Sequence, residues 1–302
     1  MRQLPGTGGT AWEQLTLGPA VSRDKVDVLF SPAYSTPLTT SVPRVVALHD
    51  VSFAARPEWF TWREGLRRRL LARRAARAAR AVVTISAFSK SEIMRLFGTP
   101  ASNIHVVPPG IDAPACASDT RPSRRASVLY VGSIFARRHI PDLLAAFERV
   151  AARHADATLD LVGDNRSFPR ANIASLIARS PVMARIHWHR YAPDEELWRL
   201  YAEARAFAFL SEYEGLGLTP LEALAVGIPS VLLDEGVARE ACGNAALYVP
   251  TGDITATASA LETLLYDEGT RTRLLAAAPE VLSRFDWARA AADTLSVLES
   301  AA

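Results

Sequence analysis

The chain has 302 residues, enough for about two domains, because single hydrophobic cores rarely grow beyond roughly 250 residues. Apolar residues make up 49% and charged residues 22%, which excludes a disordered, collagen-like or coiled-coil chain. The 34 basic and 32 acidic side chains give a formal charge of +2, so the molecule as a whole is not a polycation built for nucleic acid.

Cysteine usage and hydropathy indicate in which cell compartment the protein is expected. Cys116 and Cys242 lie far apart and form no C-x-x-C pattern, so neither a zinc site nor a disulfide framework is predicted. No run of 18 apolar residues occurs, and no apolar segment follows Arg2, so we predict neither a transmembrane helix nor a signal peptide. We therefore expect a soluble protein of the reducing cytoplasm.

Short apolar stretches in the first third of the chain predict β-strands separated by helices. The strands are predicted at 26–30, 45–48, 81–85 and 104–107, and the helices at 63–80 and 86–97. This alternation predicts a parallel sheet. The cluster Gly6, Gly8 and Gly9 has no strand before it, and we interpret it as a loop rather than a phosphate-binding turn.

Residues 116–127, CASDTRPSRRAS, have the composition of a linker, and the alternation restarts after them. Further strands are predicted at 128–131, 159–162, 186–188, 206–210, 229–233 and 246–249, and helices from 141 and at 197–204 and 220–226. The chain is therefore predicted to be α/β, with an N-terminal Rossmann-like domain over 1–115, a C-terminal one over 128–283, and a cleft between them.

Segment 211–229, SEYEGLGLTPLEALAVGIP, follows a predicted buried strand, turns on glycines and opens a helix. Thr219 fits the N-cap position, and Glu222 then fits a capping-box position. Alternatively, the backbone N–H groups of Leu218 and Thr219 attract a diphosphate, while Glu214 and Glu222 bind hydroxyl groups on either side of it. Both interpretations of Glu222 stay open.

The spacing of Glu214 and Glu222 resembles the E-x7-E pattern of retaining glycosyltransferases of family 4. The surrounding E-G-x-G-L-x-x-L-E-A-x-A-x-G-x-P is similar to their donor-binding signature. Other similar stretches follow in the family's order: His49-Asp50, S-A-F-S at 86–89, P-G-I-D at 109–112, V-L-Y-V-G-S at 128–133 with Arg137-Arg138-His139, and P-D-E-E-L at 193–197. The resemblance implies the GT-B architecture and a mannosyltransferase-like hexosyltransferase. It also implies that a C-terminal helix at 284–302 packs back on the N-terminal domain.

The resemblance implies roles for the residues around the signature. Glu222 would bind the ribose hydroxyl groups of a nucleotide-sugar. Glu214 and the amides of Gly215, Leu216 and Gly217 would bind the hydroxyl groups of the donor sugar.

The same resemblance implies which residues bind the diphosphate of the donor. Arg137 and Arg138 would neutralise it, the amides of Leu218 and Thr219 would assist, and Gly132 would belong to the same donor site. The expected donor is of the GDP-mannose or UDP-glucose type, and the acceptor is a saccharide or a lipid-linked molecule. No cofactor is expected, and no metal, since the sequence contains no D-x-D pattern.

Other positions leave more open. The resemblance places His49 opposite the donor sugar, on the other domain. His139 stands where the family has asparagine, either as a contact or as a packing residue, and Glu212 is either part of the site or a solvated charge at a strand end. The resemblance further implies a strand, a glycine-rich loop and a helix ahead of Met1, so the N-terminal domain is predicted to lack its first βα units. The alternative function is therefore a non-catalytic nucleotide-sugar-binding remnant or partner subunit. An epimerase or phosphorylase on this scaffold fits the signature less well.

Segment 63–80 carries eight arginines against one glutamate, although the chain as a whole is nearly neutral. Helical spacing predicts one basic stripe of Arg69, Arg73, Arg77 and Arg80. The same spacing predicts that Leu66, Leu70 and Leu71 pack on the sheet. The stripe fits a solvated helix face, a peripheral contact with an anionic membrane at the inner face of the plasma membrane, or nucleic acid. The lack of aromatic residues within the segment speaks against nucleic acid.

Overall fold

The computed structural model describes residues 3–6, 8–112 and 125–302. The chain divides into two compact units, Met1–Gly110 with Asp286–Ala302 and Ile111–Phe285. Of the predicted linker, only the last three positions lie among the described residues. Cys116 lies outside them.

The first unit contains a parallel four-stranded sheet whose strands follow one another in chain order. They are β1 (Leu29–Ser31), β2 (Arg44–Ala47), β3 (Ala81–Thr84) and β4 (Ile104–Val106). All four predicted strands are present. The first begins three residues later than predicted, because only residues 29–31 pair with β2.

Helices surround this sheet: α1 (Gly9–Trp12), α2 (Gly18–Asp24), α3 (Ser52–Ala55), α4 (Trp62–Ala78) and α5 (Ala87–Phe97). A π-helical segment, Glu13–Leu17, joins α1 to α2. The loop predicted at the glycine cluster is therefore wrong from Gly9 onward. The indole of Trp12 donates a hydrogen bond to the carbonyl of Pro5, 2.8 Å away, and ties the preceding glycines to the helix.

Helix α4 packs through small residues: Ala72, Ala75 and Ala76 are buried in the core of the first unit. The predicted leucine face is wrong for Leu66, which is 40% exposed, and for Leu70, which is 45% exposed. Leu71 is half-buried.

The predicted arginine stripe is also shorter than expected. Helix α4 ends at Ala78, and Ala79 turns extended to enter β3, so Arg80 lies beyond the helix and its backbone N–H bonds the carbonyl of Arg44. Arg73 and Arg77 are exposed, and Arg69 is half-buried.

The second unit contains a parallel six-stranded sheet in the order β10-β9-β8-β5-β6-β7. The strands are β5 (Ser127–Val131), β6 (Thr158–Val162), β7 (Ile186–His189), β8 (Ala206–Phe209), β9 (Ser230–Leu233) and β10 (Ala246–Val249). All six predicted strands are present, within about one residue at either end. Strands β5, β8 and β9 are buried along their whole length, as expected for the centre of a parallel sheet.

The remaining helices are α6 (Ile140–Arg153), α7 (Ile173–Arg179), α8 (Asp194–Glu203), α9 (Leu218–Ala225), α10 (Gly236–Cys242), α11 (Ile254–Tyr266), α12 (Glu268–Ala276), α13 (Ala278–Leu282) and α14 (Trp287–Ala301). Helix α14 belongs to the first unit, where Ala290 and Val297 pack on Val45 and Val83 of the sheet. Over the ranges that the structure describes, no helix combines the length and apolar character needed to cross a bilayer.

Candidate functional site

The chain reverses its direction across the second sheet between two adjacent strands. From β5 it proceeds outward to β6 and β7, then returns to β8 on the other side of β5 and continues to β9 and β10. Open parallel sheets bind ligands beyond the strand ends at such a switch point. The segments that leave β5 and β8 there are 132–139 and 210–217.

Arg138 occupies the centre of this edge. Its Nε donates to Oε1 of Glu214 at 2.9 Å, and its Nη1 donates to the carbonyl of Ser133 at 2.9 Å. The guanidinium carbon lies 4.7 Å from the ring centroid of Phe209 and 5.4 Å from that of Phe135. Burial alone would lower the pKa of Arg138, but the neighbouring Glu214 holds it above its ordinary value. The residue is thus fixed in place as a cation.

The Glu214 carboxylate binds three groups. Besides Arg138, it accepts a hydrogen bond from Oγ of Ser211 at 2.8 Å and lies 3.6 Å from Nε of Arg137. The side chains of Arg137 and Glu214 are only 11% and 15% exposed. Glu214 is therefore shared between two arginines.

Gly132 is required by this packing. Its backbone has φ 140°, and a Cβ atom there would collide with the Arg138 guanidinium. Gly163, which follows β6, has φ 141°, and a Cβ there would collide with the carbonyl group of Gly132. Glycine at both positions lets the two loops and the arginine lie in contact.

Helix α9 follows the loop that carries Glu214. Its N-cap lies two residues before the predicted cap, Thr219. The N-cap residue is Gly217, with φ 91°, so Thr219 lies inside the helix and the predicted Thr219 cap is wrong. No side chain caps this helix, and Oγ1 of Thr219 is buried without a hydrogen-bond partner among the described residues. A glycine takes the left-handed conformation with little strain, and it leaves the first N–H groups of the helix without a capping side chain.

Glu222 has a partner other than the helix end. Its Oε2 accepts a hydrogen bond from the Tyr201 hydroxyl at 3.2 Å, so the capping-box interpretation is wrong. Burial raises the pKa of the Glu222 carboxyl above its usual value, although the tyrosine hydroxyl acts in the opposite direction. A half-buried carboxylate with one neutral donor retains acceptor capacity for a ligand.

The residues of the glycine loop and the first turn of α9 that were predicted to bind the nucleotide-sugar differ in their exposure. Leu216 is only 4% exposed and Gly215 is buried, so we expect a ligand to meet these residues through their backbone. Leu218, at the first turn of α9, is 40% exposed.

His49 belongs to the first unit, two residues after β2. Its Nε2 lies 3.1 Å from the carbonyl oxygen of Pro32, and its ring meets that of Tyr34 edge-on. The Tyr34 hydroxyl donates to Asp50, and the Ser89 hydroxyl donates to the backbone carbonyl of His49. Local hydrogen bonds therefore fix His49 within its own unit.

Family models match almost the entire chain. Residues 117–281 match the model described as glycosyl transferases group 1, and residues 4–114 match glycosyltransferase family 4. The first match alone covers more than half of the 302 residues. The chain belongs to the group 1 glycosyl transferases.

Curated proteins similar to this group 1 chain include O-antigen chain mannosyltransferase B from Escherichia coli, 28% identical over 83% of this chain and 69% of the relative. Glycogen synthase from Mycobacterium tuberculosis is 28% identical over 88% of this chain and 65% of its own length. MMP α-(1→4)-mannosyltransferase from Mycolicibacterium hassiacum is also 28% identical, over 88% of this chain and 66% of its own length. The chain thus spans about two thirds of the length of these relatives.

Solved structures confirm the α/β fold class of this group 1 member. HepE from Anabaena, in complex with UDP and glucose, aligns with a TM-score of 0.77 at 21% identity over 97% of this chain and 83% of its own. Sucrose-phosphate synthase from Thermosynechococcus elongatus aligns at 0.75 and 19% identity, over 94% and 76% of the two chains. The predicted GT-B class is therefore confirmed.

Some residues that build the site of this group 1 chain had no predicted role. Ser211 binds Glu214, Tyr201 binds Glu222, and Phe135 and Phe209 lie on two sides of Arg138. Ser211 opens the segment 211–229, so its nearness in sequence to Glu214 was a usable signal. Tyr201 lies 21 positions before Glu222 and gave no such signal. Phe135 and Phe209 carried no such signal, because only the fold brings their rings to the guanidinium.

Proposed function

We propose that this chain is a retaining glycosyltransferase that uses a nucleotide-diphosphate sugar, of the GDP-mannose or UDP-glucose type, and transfers the sugar to a saccharide or lipid-linked acceptor. One observation carries the proposal: Arg137, Arg138 and the uncapped start of α9 lie together at the switch point of the second sheet. The names of the relatives, two mannosyltransferases and a glycogen synthase, support this class of reaction.

Transfer from such a donor breaks the bond between the sugar and the diphosphate. Negative charge then develops on the leaving phosphate, and groups placed there in advance stabilise it. Arg137 and Arg138 supply charged donors, and the first N–H groups of α9, with the Thr219 hydroxyl, supply neutral ones. No metal takes part in the proposed step.

The two glutamates serve the donor's hydroxyl groups. Glu222, whose partner among the described residues is the neutral hydroxyl of Tyr201, accepts hydrogen bonds from the ribose hydroxyl groups. Glu214 and the amides of Gly215–Gly217 bind the sugar. In the proposed retaining reaction the acceptor attacks from the side of the leaving phosphate, which accepts the acceptor's proton. His49 keeps, as a proposal, the contact with the donor sugar that the resemblance implies.

Calorimetry of the purified chain with UDP, GDP and their glucose and mannose conjugates tests the proposal. We expect one nucleotide family to bind, and Glu222→Ala to weaken binding by about tenfold to a hundredfold, the worth of hydrogen bonds to a charged group. Glu195→Gln, which removes an exposed carboxylate on α8, serves as the control and should bind like the parent.

The outcomes separate the candidate functions. Absence of binding to every nucleotide would contradict the proposal. Binding without transfer to any saccharide or lipid-linked acceptor would favour the alternative, a non-catalytic nucleotide-sugar-binding subunit.

We further propose that α4 contacts an anionic membrane surface. Its outward face carries apolar side chains first and basic ones after them: Trp62 is 71% exposed, Leu66 and Leu70 are exposed beside it, and Arg73 and Arg77 follow on the same face. Aromatic and leucine side chains suit the lipid headgroup boundary, and arginines are attracted to anionic lipids. The revised face, with apolar residues among the arginines, supports this proposal better than a plain basic stripe does.

Vesicle sedimentation tests the contact. The chain should bind phosphatidylglycerol vesicles more tightly than phosphatidylcholine vesicles, and Arg73→Gln with Arg77→Gln should lower that binding by about thirtyfold, at about 1 kcal/mol per arginine. The matched control, Arg179→Gln with Arg273→Gln, removes two exposed arginines from other helices. Equal binding by both double variants would contradict the proposal.

A further inference from the structure

His139 lies between two carboxylates at the edge of the candidate site. Its Nε2 is 2.5 Å from Oε1 of Glu212, and its Nδ1 is 3.0 Å from Oδ2 of Asp142. The three side chains are 22% to 31% exposed, so water only partly screens these contacts. Both ring nitrogens therefore face a charged acceptor.

The two carboxylates require hydrogen-bond donors from the ring. An ionised carboxylate only accepts hydrogen bonds, whereas a neutral imidazole donates from one nitrogen and accepts at the other. A ring N–H can therefore donate a charge-assisted bond to a carboxylate here, and the shorter of the two contacts is the one to Glu212.

The backbone of His139 also holds the residue in place. It has φ 45°, a left-handed conformation that is uncommon for residues other than glycine and that histidine tolerates better than most. The residue also serves as the N-cap of α6, where its carbonyl accepts from the N–H groups of Asp142 and Leu143. The ring is therefore held at one place between the two segments of the site.

These bonds connect the two arginines to the loop that carries Glu214. Ala136–Arg138 form a 3₁₀ turn immediately before His139, and Glu212 lies two residues before Glu214. The backbone N–H of Glu212 also donates to the carbonyl of Arg137 at 3.0 Å. One backbone bond and one side-chain bond thus join the arginine turn to the acidic loop.

We propose that His139 is a positioning residue of the donor site: it clips Glu212 to the start of α6 and so sets the separation between the arginine turn and Glu214. The inference rests on the proposed function, since it concerns the site that would bind the diphosphate. It assigns Glu212 to the site as a support and not as a solvated strand-end charge.

Two readouts test the clip. In the chain labelled with 15N-histidine, a His139 ring N–H, assigned by its loss in His139→Asn, should exchange slowly with solvent without any nucleotide, as expected for a hydrogen bond to a carboxylate. Asparagine tolerates the left-handed backbone, so His139→Asn removes the ring while keeping the turn. With UDP or GDP, whichever the parent chain binds, His139→Asn and Glu212→Gln should each weaken affinity by about threefold to tenfold. The double variant should be no weaker than the weaker single variant, because both changes break the same bond.

The matched control is His154→Asn, which removes another histidine–glutamate contact in the same unit, 2.6 Å from Glu262. It should leave nucleotide affinity unchanged. A His139 ring N–H that exchanges freely with solvent, or single variants that lower only the thermal unfolding midpoint and keep parental affinity, would overturn the clip. If His139→Asn does not fold, Glu212→Gln gives the same test. A parent chain that binds no nucleotide contradicts the proposed function instead, and the ring signature then still decides the clip.

Discussion

The side chains at the carboxyl ends of the strands differ between the two units. In the second unit, cations and carboxylates are buried at the strand ends, where Arg137, Arg138 and Glu214 contact one another. In the first unit, the strand-end histidine, His49, is fixed mainly by neutral hydrogen bonds, and the arginines lie outside on α4. Buried charge is costly unless it is paired, and in the second unit Glu214 supplies that pairing for both arginines.

The largest effect is expected when the shared carboxylate is removed. Glu214→Gln leaves two largely buried arginines without their counterion, and the free energy of unfolding should fall by about 3 kcal/mol. Urea unfolding of the variant beside Glu195→Gln measures it. A loss no greater than that of the exposed control would show that the charges of the second unit are not coupled.

A smaller loss is expected from the loop that approaches Arg138. Gly132→Ala introduces both a disfavoured φ and a collision with the guanidinium, and should lower the free energy of unfolding by about 2 to 3 kcal/mol. Gly98, at φ 71° with open space around it, is the matched position, and Gly98→Ala should lose only about 1 kcal/mol. Equal losses would remove the argument that Gly132 makes room for the arginine.

The third effect depends on pH. Because burial raises the folded-state pKa of Glu222, its ionisation destabilises the fold, and stability present below the ordinary carboxyl value of 4.5 is lost as the pH rises through the raised pKa. Glu222→Gln keeps an acceptor for Tyr201 and removes this titration. The stability of the parent relative to this variant should therefore fall as the pH rises above 4.5.

The opposite trend would indicate that Glu222 is stabilised as an anion, as a capping-box glutamate would be. Thermal unfolding of both chains at matched ionic strength distinguishes the two trends. Nucleotide affinity at pH 7 should fall in the same variant whose stability rises, as expected where a site holds a destabilised group.

The smallest effect is expected on the first unit. Arg73→Gln with Arg77→Gln changes exposed side chains on α4, and the free energy of unfolding should change by no more than about 0.5 kcal/mol. Chemical denaturation of the variant measures this. A loss comparable to that of Glu214→Gln would mean that α4 arginines stabilise the fold and are not a surface for a partner.

Much of the fold could be predicted, because strand identity depends on local patterns. The apolar runs that became β5, β8 and β9 are short, continuous and bounded by turn residues. Helix orientation was predicted less well. Leu66 and Leu70 carry the stronger hydrophobic signal, yet they are exposed and the alanines of α4 are buried, because only tertiary packing decides which face of a helix is covered.

The site could be predicted as a set of residues but not as a network. The motifs selected Arg138, Glu214 and Glu222 from the sequence. Their partners come from elsewhere in the chain: Arg138 contacts a residue 76 positions away, and Tyr201 lies 21 positions from Glu222. The expected Thr219 cap failed because Gly217 reaches a left-handed conformation that starts the helix earlier.

Amide hydrogen exchange with and without saturating UDP or GDP tests the central claim most directly, since it locates the bound nucleotide along the chain. The account predicts slower exchange in 132–139 and 211–222, the segments that leave β5 and β8 at the switch point. Protection confined to other segments, or no change in exchange with either nucleotide, would contradict it.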